Sequence, residues 1–300
     1  MISLIVHGGA WNIPDDVVEA HRAGVASALA IGWDVLRSGG SSVDAVERAL
    51  RSLEDNGTFD AGCGSHFNAD GVVELDASIM NGKTFRCGAV GAVQRVKNPI
   101  SLARKIMEDS EHILLVGQGA EQFARANGIP TCDPSALRSA REVERWESIR
   151  SKEGFTTKMA FGNAPSDTVG VVAMDARGDL CAGTSTGGTL NKHAGRIGDS
   201  PLIGCGTYCD NAVGGVSTTG WGEGMIKVVM AKTVVDAMEH NGGDPQAAAE
   251  RGVDHLKQKV DGLGGVIALS RTGAFGVAFN TPRMARAYMS SSMHDPLVAV

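Results

Sequence analysis

Two periodicities divide the chain. Some stretches repeat their apolar residues every three or four positions, as an amphipathic helix does, and shorter runs are apolar almost throughout, as buried strands are. "ISLIVH" predicts a strand that ends at the pair Gly8 and Gly9. A helical repeat from about Val17 to Arg37 follows and is stopped by "SGG"; "SSVDAVERALRSLED" then restarts a helix with Ser41 or Ser42 as its N-cap. "GVVELDASIM" and "FRCGAVGAVQRV" read as paired strands, "ISLARKIMED" as a helix, "HILLV" as a strand and "GAEQFARAN" as a helix opened by glycines. Ser135 to Lys152 is charged and amphipathic, which predicts a surface helix. Glu153 to Asp167 has no periodicity and reads as a linker.

The second half opens on "TVGVVAMD" and "LCAGTST", two strand patterns joined by the turn "ARGD". A glycine-dense span from Gly183 to Gly224 comes next. Helical patterns then cover about Met225 to His240 and Pro245 to Lys259, before the closing strands "GGVIALS", "AFGVAFN" and "RMARAYM". Helices fall in two groups with strands clustered between them. That order suits an α+β sandwich of two sheets covered by helices on both outer sides rather than an alternating βα fold, and 300 residues could form one large domain or two small ones.

Composition narrows the function more than the fold. Forty glycines in 300 residues, against four tryptophans and two tyrosines, predict tight turns and close backbone approaches. A formal charge of -6 with no basic cluster argues against a nucleic-acid surface, which needs concentrated Lys and Arg. No run approaches the roughly 20 apolar residues of a membrane span. The opening "MISLIVHGGAW" lacks the basic segment and apolar length of an export signal, so the expected location is the cytoplasm. Cys63, Cys87, Cys132, Cys181, Cys205 and Cys209 lack metal-site spacing and are expected as reduced, buried thiols. Gly117 and Gly119 sit between a strand and a helix as in a dinucleotide site, but Gln122 stands where the third glycine belongs.

The seam at Thr168 holds the sharpest chemical signal. Before it, "NAPSD" is small, polar and broken by Pro165; after it a buried strand begins. A hydroxyl is a weak nucleophile near neutral pH and needs a base, and a Thr at a chain terminus can use its own α-amine. That amine's ordinary pKa of about 7.7 to 8.0 leaves roughly a tenth to a sixth of it neutral at pH 7, so no histidine is required. Such a Thr must first be freed by cleavage, and a polar segment ending directly before a rigid strand suits that. "GTSTGG" can return Thr184, Ser185 and Thr186 to the point where the first strand began, and "TTGWGE" adds Thr218, Thr219, Gly220 and Gly222. A hydroxyl and a glycine N–H in such loops can serve an oxyanion. Arg196 and Asp199, in "GRIGDSP", offer a guanidinium and a carboxylate to the zwitterionic head of an amino acid, or else a salt bridge to each other.

In order, "HGGAW", "LEDNGTFDAGCGS", "ELDASIMNG", "GAVGAV", "DTVGVVAMD", "GTSTGG", "NKHAGRIGDSP" and "GVSTTGWGEG" resemble the motifs of the plant-type asparaginase and isoaspartyl peptidase family of N-terminal-nucleophile hydrolases, over essentially the whole length. The resemblance implies a single domain spanning 1–300 with a four-layer αββα sandwich fold, made as a precursor that cuts itself between Asp167 and Thr168 to give an α chain of 1–167 and a β chain of 168–300. It implies that Thr168 is nucleophile and, through its freed amine, base. Thr186 would orient its hydroxyl, and the Thr219 hydroxyl and Gly220 N–H would form the oxyanion hole. Arg196 matches the family's anchor for the substrate α-carboxylate and Asp199 the one for the α-amine, with the Gly222 carbonyl assisting. The implied substrates are L-asparagine and β-aspartyl dipeptides, hydrolysed through a β-aspartyl ester of Thr168 with no cofactor in the chemistry. A structural sodium ion on the main-chain carbonyls of Leu53, Glu54, Asn56, Phe59, Ala61 and Cys63, and a homodimer of αβ units, are implied as well.

Three positions depart from the family's pattern. Asp60 stands where Asn is usual, Asp167 where asparaginases commonly have Gly, and Arg283 where Gly commonly precedes the Met, which would alter the leaving-group side of the pocket. The Asp-Thr junction resembles glycosylasparaginases instead, so glycosylasparagine is an alternative substrate. A non-catalytic binding protein of the same fold is the alternative of another class. His7 and His66 are expected as packing or loop-bonding groups, Trp11 and Trp221 as packing, and the acidic residues from Glu54 to Asp76 as solvated or loop-bonding.

Overall fold

The computed structural model describes residues 1–150, 152, 155, 157 and 167–300; most of the expected linker 153–167 lies outside the described residues. The first half runs β1 (Ser3–Trp11), α1 (Val18–Arg37), α2 (Ser42–Asn56), β2 (Leu75–Asn81), β3 (Cys87–Val93), α3 (Pro99–Asp109), β4 (Leu114–Val116), α4 (Gly117–Ala126) and α5 (Ala140–Arg150). The second runs β5 (Val169–Met174), β6 (Leu180–Thr186), β7 (Thr207–Asp210), β8 (Gly214–Gly220), α6 (Gly222–Val228), α7 (Met230–His240), α8 (Pro245–Val260), β9 (Gly264–Ser270), β10 (Phe275–Phe279), β11 (Arg283–Ser290) and β12 (Leu297–Ala299). The fold is α+β.

Eight strands form one sheet in the order β12-β11-β1-β5-β6-β2-β3-β4, and four form another in the order β10-β9-β8-β7. The central strands of the larger sheet are buried on both faces, which is why they read as continuous apolar runs. Along β5, Val171 and Ala173 join a core shared with Val25 of α1 and Leu50 of α2. Val172 and Met174 point the opposite way and pack with Ile267 and Leu269 of β9, as the two-residue period of a strand requires. Beyond the smaller sheet, Val216 and Val266 pack on Met230, Val234 and Leu256 of α7 and α8. Each large aliphatic side chain so buried contributes roughly 1.5–3 kcal/mol.

The elements differ from the sequence pattern in instructive places. Strand β1 does not stop at Gly8 and Gly9 but continues to Trp11 through an irregularity between His7 and Ala10. Ser41 is the N-cap of α2, in a reciprocal capping box with Asp44. The surface helix begins only at Ala140, after a short 3-10 turn over Pro134–Leu137. The helix expected over Met225 to His240 is two helices, divided at Val229 in the left-handed region (φ 48, ψ 54). The break is tertiary in origin: the Ala231 and Lys232 N–H groups donate to the Cys205 and Gly204 carbonyls rather than to a preceding turn. Strands β7 and β8 lie in the glycine-dense span, where no strand pattern stands out. Among the described residues no helix is long and apolar enough to cross a membrane.

Candidate active site

The β5–β6 hairpin brings two hydroxyls together. Its antiparallel register sets Val169 opposite Ser185, so Thr168, at the head of β5, meets Thr186 at the end of β6. The Thr168 Oγ1–H donates to Thr186 Oγ1 at 3.1 Å, and the Gly188 N–H donates to the same Thr186 oxygen at 3.0 Å. Thr168 is 6% exposed. On β8, Ser217 turns toward the larger sheet, where its Oγ lies 2.9 Å from His7 Nε2. Thr219, two residues on, shares that face. Its hydroxyl is fully buried and has no hydrogen-bond partner among the described residues, an arrangement that costs about 1–3 kcal/mol unless a ligand fills it. Gly220 follows with φ +145, a backbone state that side-chain-bearing residues rarely adopt.

The turn "GRIGDSP" does not close on itself. Asp199 Oδ2 accepts from Thr218 Oγ1 at 2.8 Å, while Arg196 grips Glu223 of α6 through Nε and Nη2, each at 2.9 Å. Burial pushes the Asp199 carboxyl up to about 6, against the opposing Thr218 hydrogen bond and Arg196 charge. Gly222 sits between the two groups: a Cβ there would stand 2.8 Å from Arg196 Nη2 and 3.0 Å from Asp199 Oδ1. Sequence reasoning missed Glu223, although it stands inside the quoted motif "TTGWGE".

Beside Thr168 lies a buried ionisable cluster. Asp167 Oδ2 is 3.1 Å from His21 Nε2, and its Oδ1 is buried without a hydrogen-bond partner among the described residues. His21 Nδ1 is 2.8 Å from the Val17 carbonyl. Burial lowers the His21 pKa, but the Asp167 hydrogen bond and charge outweigh it and the net direction is upward. Asp60 Oδ1 accepts the His66 N–H at 2.9 Å, and burial raises its carboxyl to about 6. His66 Nδ1 pairs with Glu142 Oε2 at 2.5 Å. There the Asp60 and Glu142 charges overcome burial and lift His66 to about 9.

The other singled-out residues take structural positions. His7 is buried, and burial drives it down to about 3. It is therefore neutral, despite a hydrogen bond to the Thr168 backbone that acts in the opposite sense, and its Nε2 lies 2.9 Å from Ser217 Oγ. Trp11 is buried and Trp221 half-buried. Glu54, Asp60, Glu74 and Asp76 are buried rather than solvated, unlike Asp55 and Asp70. Glu54 accepts from Ser185 Oγ at 2.7 Å, and both Glu74 oxygens take the Gly195 N–H. Arg283 turns to the Ile13 carbonyl and Asp15. Gly117 and Gly119 fall in the first turn of α4, directly after β4, so no loop is left between them to cradle a phosphate. All six cysteines are free, but only Cys181, Cys205 and Cys209 are buried as expected; Cys63, Cys87 and Cys132 are half-buried.

In the loop after α2, the last carbonyls of the helix have no helical partner. A Cβ at Gly62 would strike the Glu54 carbonyl oxygen, and one at Gly64 the carbonyl oxygen of Phe59. Main-chain oxygens thus face a turn kept clear of side chains. Among the described residues no group of three or more His, Cys, Asp or Glu side chains could hold a metal ion.

Comparison with known proteins first fixes the class, a hydrolase. The family profile described as Asparaginase matches residues 1–298, and the chain belongs to that family. It is 44% identical to the isoaspartyl peptidase/L-asparaginase of Bos taurus, over 94% of this chain and 91% of the relative. It is 45% identical to that of Homo sapiens, over 90% and 87%. It is 42% identical to the plant-type L-asparaginase of Pyrococcus horikoshii over the full length of both.

Proposed function

We propose that this chain is a self-cleaving threonine hydrolase acting on L-asparagine and β-aspartyl peptides, the substrates that its relatives' names state or imply. The observation that carries the reading is the Thr168 hydroxyl donating to Thr186 at the point where β5 begins. Scission of the Asp167–Thr168 bond gives chains 1–167 and 168–300 and frees the Thr168 amine. That amine takes the hydroxyl proton as Oγ bonds to the substrate's side-chain carbonyl carbon. The Thr219 hydroxyl and Gly220 N–H receive the oxyanion. The C–N bond then breaks and ammonia or an amino acid leaves with the returned proton. Water attacks the β-aspartyl ester, the amine again taking a proton, and aspartate is released. Arg196 holds the α-carboxylate, and Asp199, with the Gly222 carbonyl, the α-amine.

The same reading includes a four-layer αββα sandwich, supported by apolar cores on both faces of each sheet. It includes a structural sodium ion, with no part in the chemistry, on the carbonyls of Leu53, Glu54, Asn56, Phe59, Ala61 and Cys63. Neutral oxygens at the negative end of α2 suit a monovalent cation. The homodimer of αβ units rests on the family alone, and the free cysteines fit the cytoplasm.

Aspartate release from asparagine, β-aspartyl-leucine and a glycosylasparagine, measured side by side, tests the substrate. The first two are expected to turn over. Exclusive turnover of the third would favour the glycosylasparaginase reading that the Asp167–Thr168 junction keeps open. The pH profile carries a second expectation. The Thr168 amine, ordinarily at about 7.7 to 8.0, must be neutral, so log kcat/KM rises with pH at a slope of about one below that value. Asp199 must be charged to hold the substrate ammonium, and its carboxyl stands at about 6. Below about pH 6 the slope therefore steepens toward about two, and the Asp199 limb moves to lower pH in kcat, where bound substrate holds the carboxylate charged. A slope of one down to pH 4.5 would contradict Asp199 as the ammonium site.

A further inference from the structure

Glu223 has no part in the reaction as written above, yet both its oxygens cover one edge of Arg196, Oε1 on Nε and Oε2 on Nη2. A guanidinium offers a carboxylate two such double-donor edges, Nε with Nη2 and Nη1 with Nη2. With the first taken, the second is left for a ligand, and glycines flank it. A Cβ at Gly198 would stand 2.9 Å from Nη1, and one at Gly222 would stand 2.8 Å from Nη2 and 3.0 Å from Asp199 Oδ1. Side-chain-free space therefore lies between the open edge of Arg196 and the open oxygen of Asp199, whose other oxygen is held by Thr218. The Arg196 side chain is 16% exposed and that of Glu223 is 40% exposed, so the carboxylate is the more exposed partner of the pair.

We propose that Glu223 is a positioning residue that decides which edge of Arg196 meets the substrate. Holding Nε and Nη2, it presents the Nη1–Nη2 edge to an α-carboxylate whose neighbouring amine reaches Asp199. This rests on the reading of Arg196 and Asp199 as the substrate's anchors. Without Glu223 the guanidinium turns freely about its stem, and the two-point grip on the substrate becomes one pose among several. A competitor that the substrate had to displace would act in the opposite sense, since its removal would tighten binding. The sign of the effect therefore separates the two roles.

The test is competitive inhibition of asparagine hydrolysis by L-aspartate and by 3-aminopropanoate, which keeps the amine and the reacting carboxylate but lacks the α-carboxylate. It is run on wild type, E223A, E223Q, R196A and E223A/R196A. Enzyme is counted as free Thr168 amino termini by intact mass, so incomplete cleavage does not enter. E223A is expected to weaken L-aspartate about tenfold and to raise the KM for asparagine similarly, with kcat within about threefold of wild type. Inhibition by 3-aminopropanoate is unchanged, E223Q, with one acceptor oxygen, falls between, and E223A has no further effect in R196A. The proposal is overturned if E223A binds L-aspartate as well as or better than wild type. It is overturned equally if both inhibitors weaken together, which would mark a loss of packing alone. Failure of the underlying reading looks different: wild type itself would not hydrolyse asparagine, or would bind the two inhibitors alike.

Discussion

Thr168→Ala leaves the purified chain uncut at 31.1 kDa and lowers asparagine hydrolysis at least ~10⁴-fold. One oxygen serves twice in this account. It attacks the carbonyl of Asp167 to open the precursor, and it attacks the substrate once the amine beside it is free. Removing it takes away both steps, because the amine that acts as base exists only after the first. Among the described residues the hydroxyl makes a single hydrogen bond, to Thr186, so its loss costs the fold only about 1 kcal/mol. A thermal melt near that of wild type, beside an uncut band on denaturing electrophoresis, separates lost chemistry from lost folding. Thr168→Ser keeps the oxygen and is expected to cleave itself, more slowly.

Thr219→Val lowers kcat about 10²- to 10³-fold, the usual loss for one oxyanion donor, while thermal stability holds or rises. The two expectations have one cause. Its hydroxyl is buried with no partner among the described residues, so the free protein carries an unmade hydrogen bond that valine, of the same shape, does not. In the proposed transition state the oxyanion would accept that hydrogen bond, and valine could not donate it. Measurements of kcat and melting temperature on the cleaved variant check the pair. A fall in stability with kcat intact would place Thr219 in packing and the oxyanion elsewhere.

The parts of the site that were legible in the sequence are those built from local pattern. The change from polar to apolar at Thr168 and the short turn to "LCAGTST" locate the hairpin, and its register then brings Thr168 to Thr186. Strands β7 and β8 were illegible for a physical reason. Beside the buried Cys209, which joins the apolar layer between the sheets, they meet the larger sheet through hydroxyls: Thr184 lies 2.5 Å from Thr207 and 2.7 Å from Ser217, and Ser78 donates to Thr207 at 2.9 Å. A reading of hydrophobicity passes over such strands as loop. The contact of His21 with Asp167 joins residues 146 positions apart, and the Arg196–Glu223 pair joins two segments that the pattern assigns separately. The burial of Asp60 and Asp76 was equally hidden, since acidic residues are ordinarily solvated.

The most direct test of the central claim follows the precursor through its own cleavage, with intact mass and asparagine turnover recorded on the same samples. The account predicts a second fragment that begins at Thr168, and turnover that rises from zero in proportion to that new terminus. An uncut chain as active as the cleaved one, or a second fragment beginning at any other residue, would contradict it.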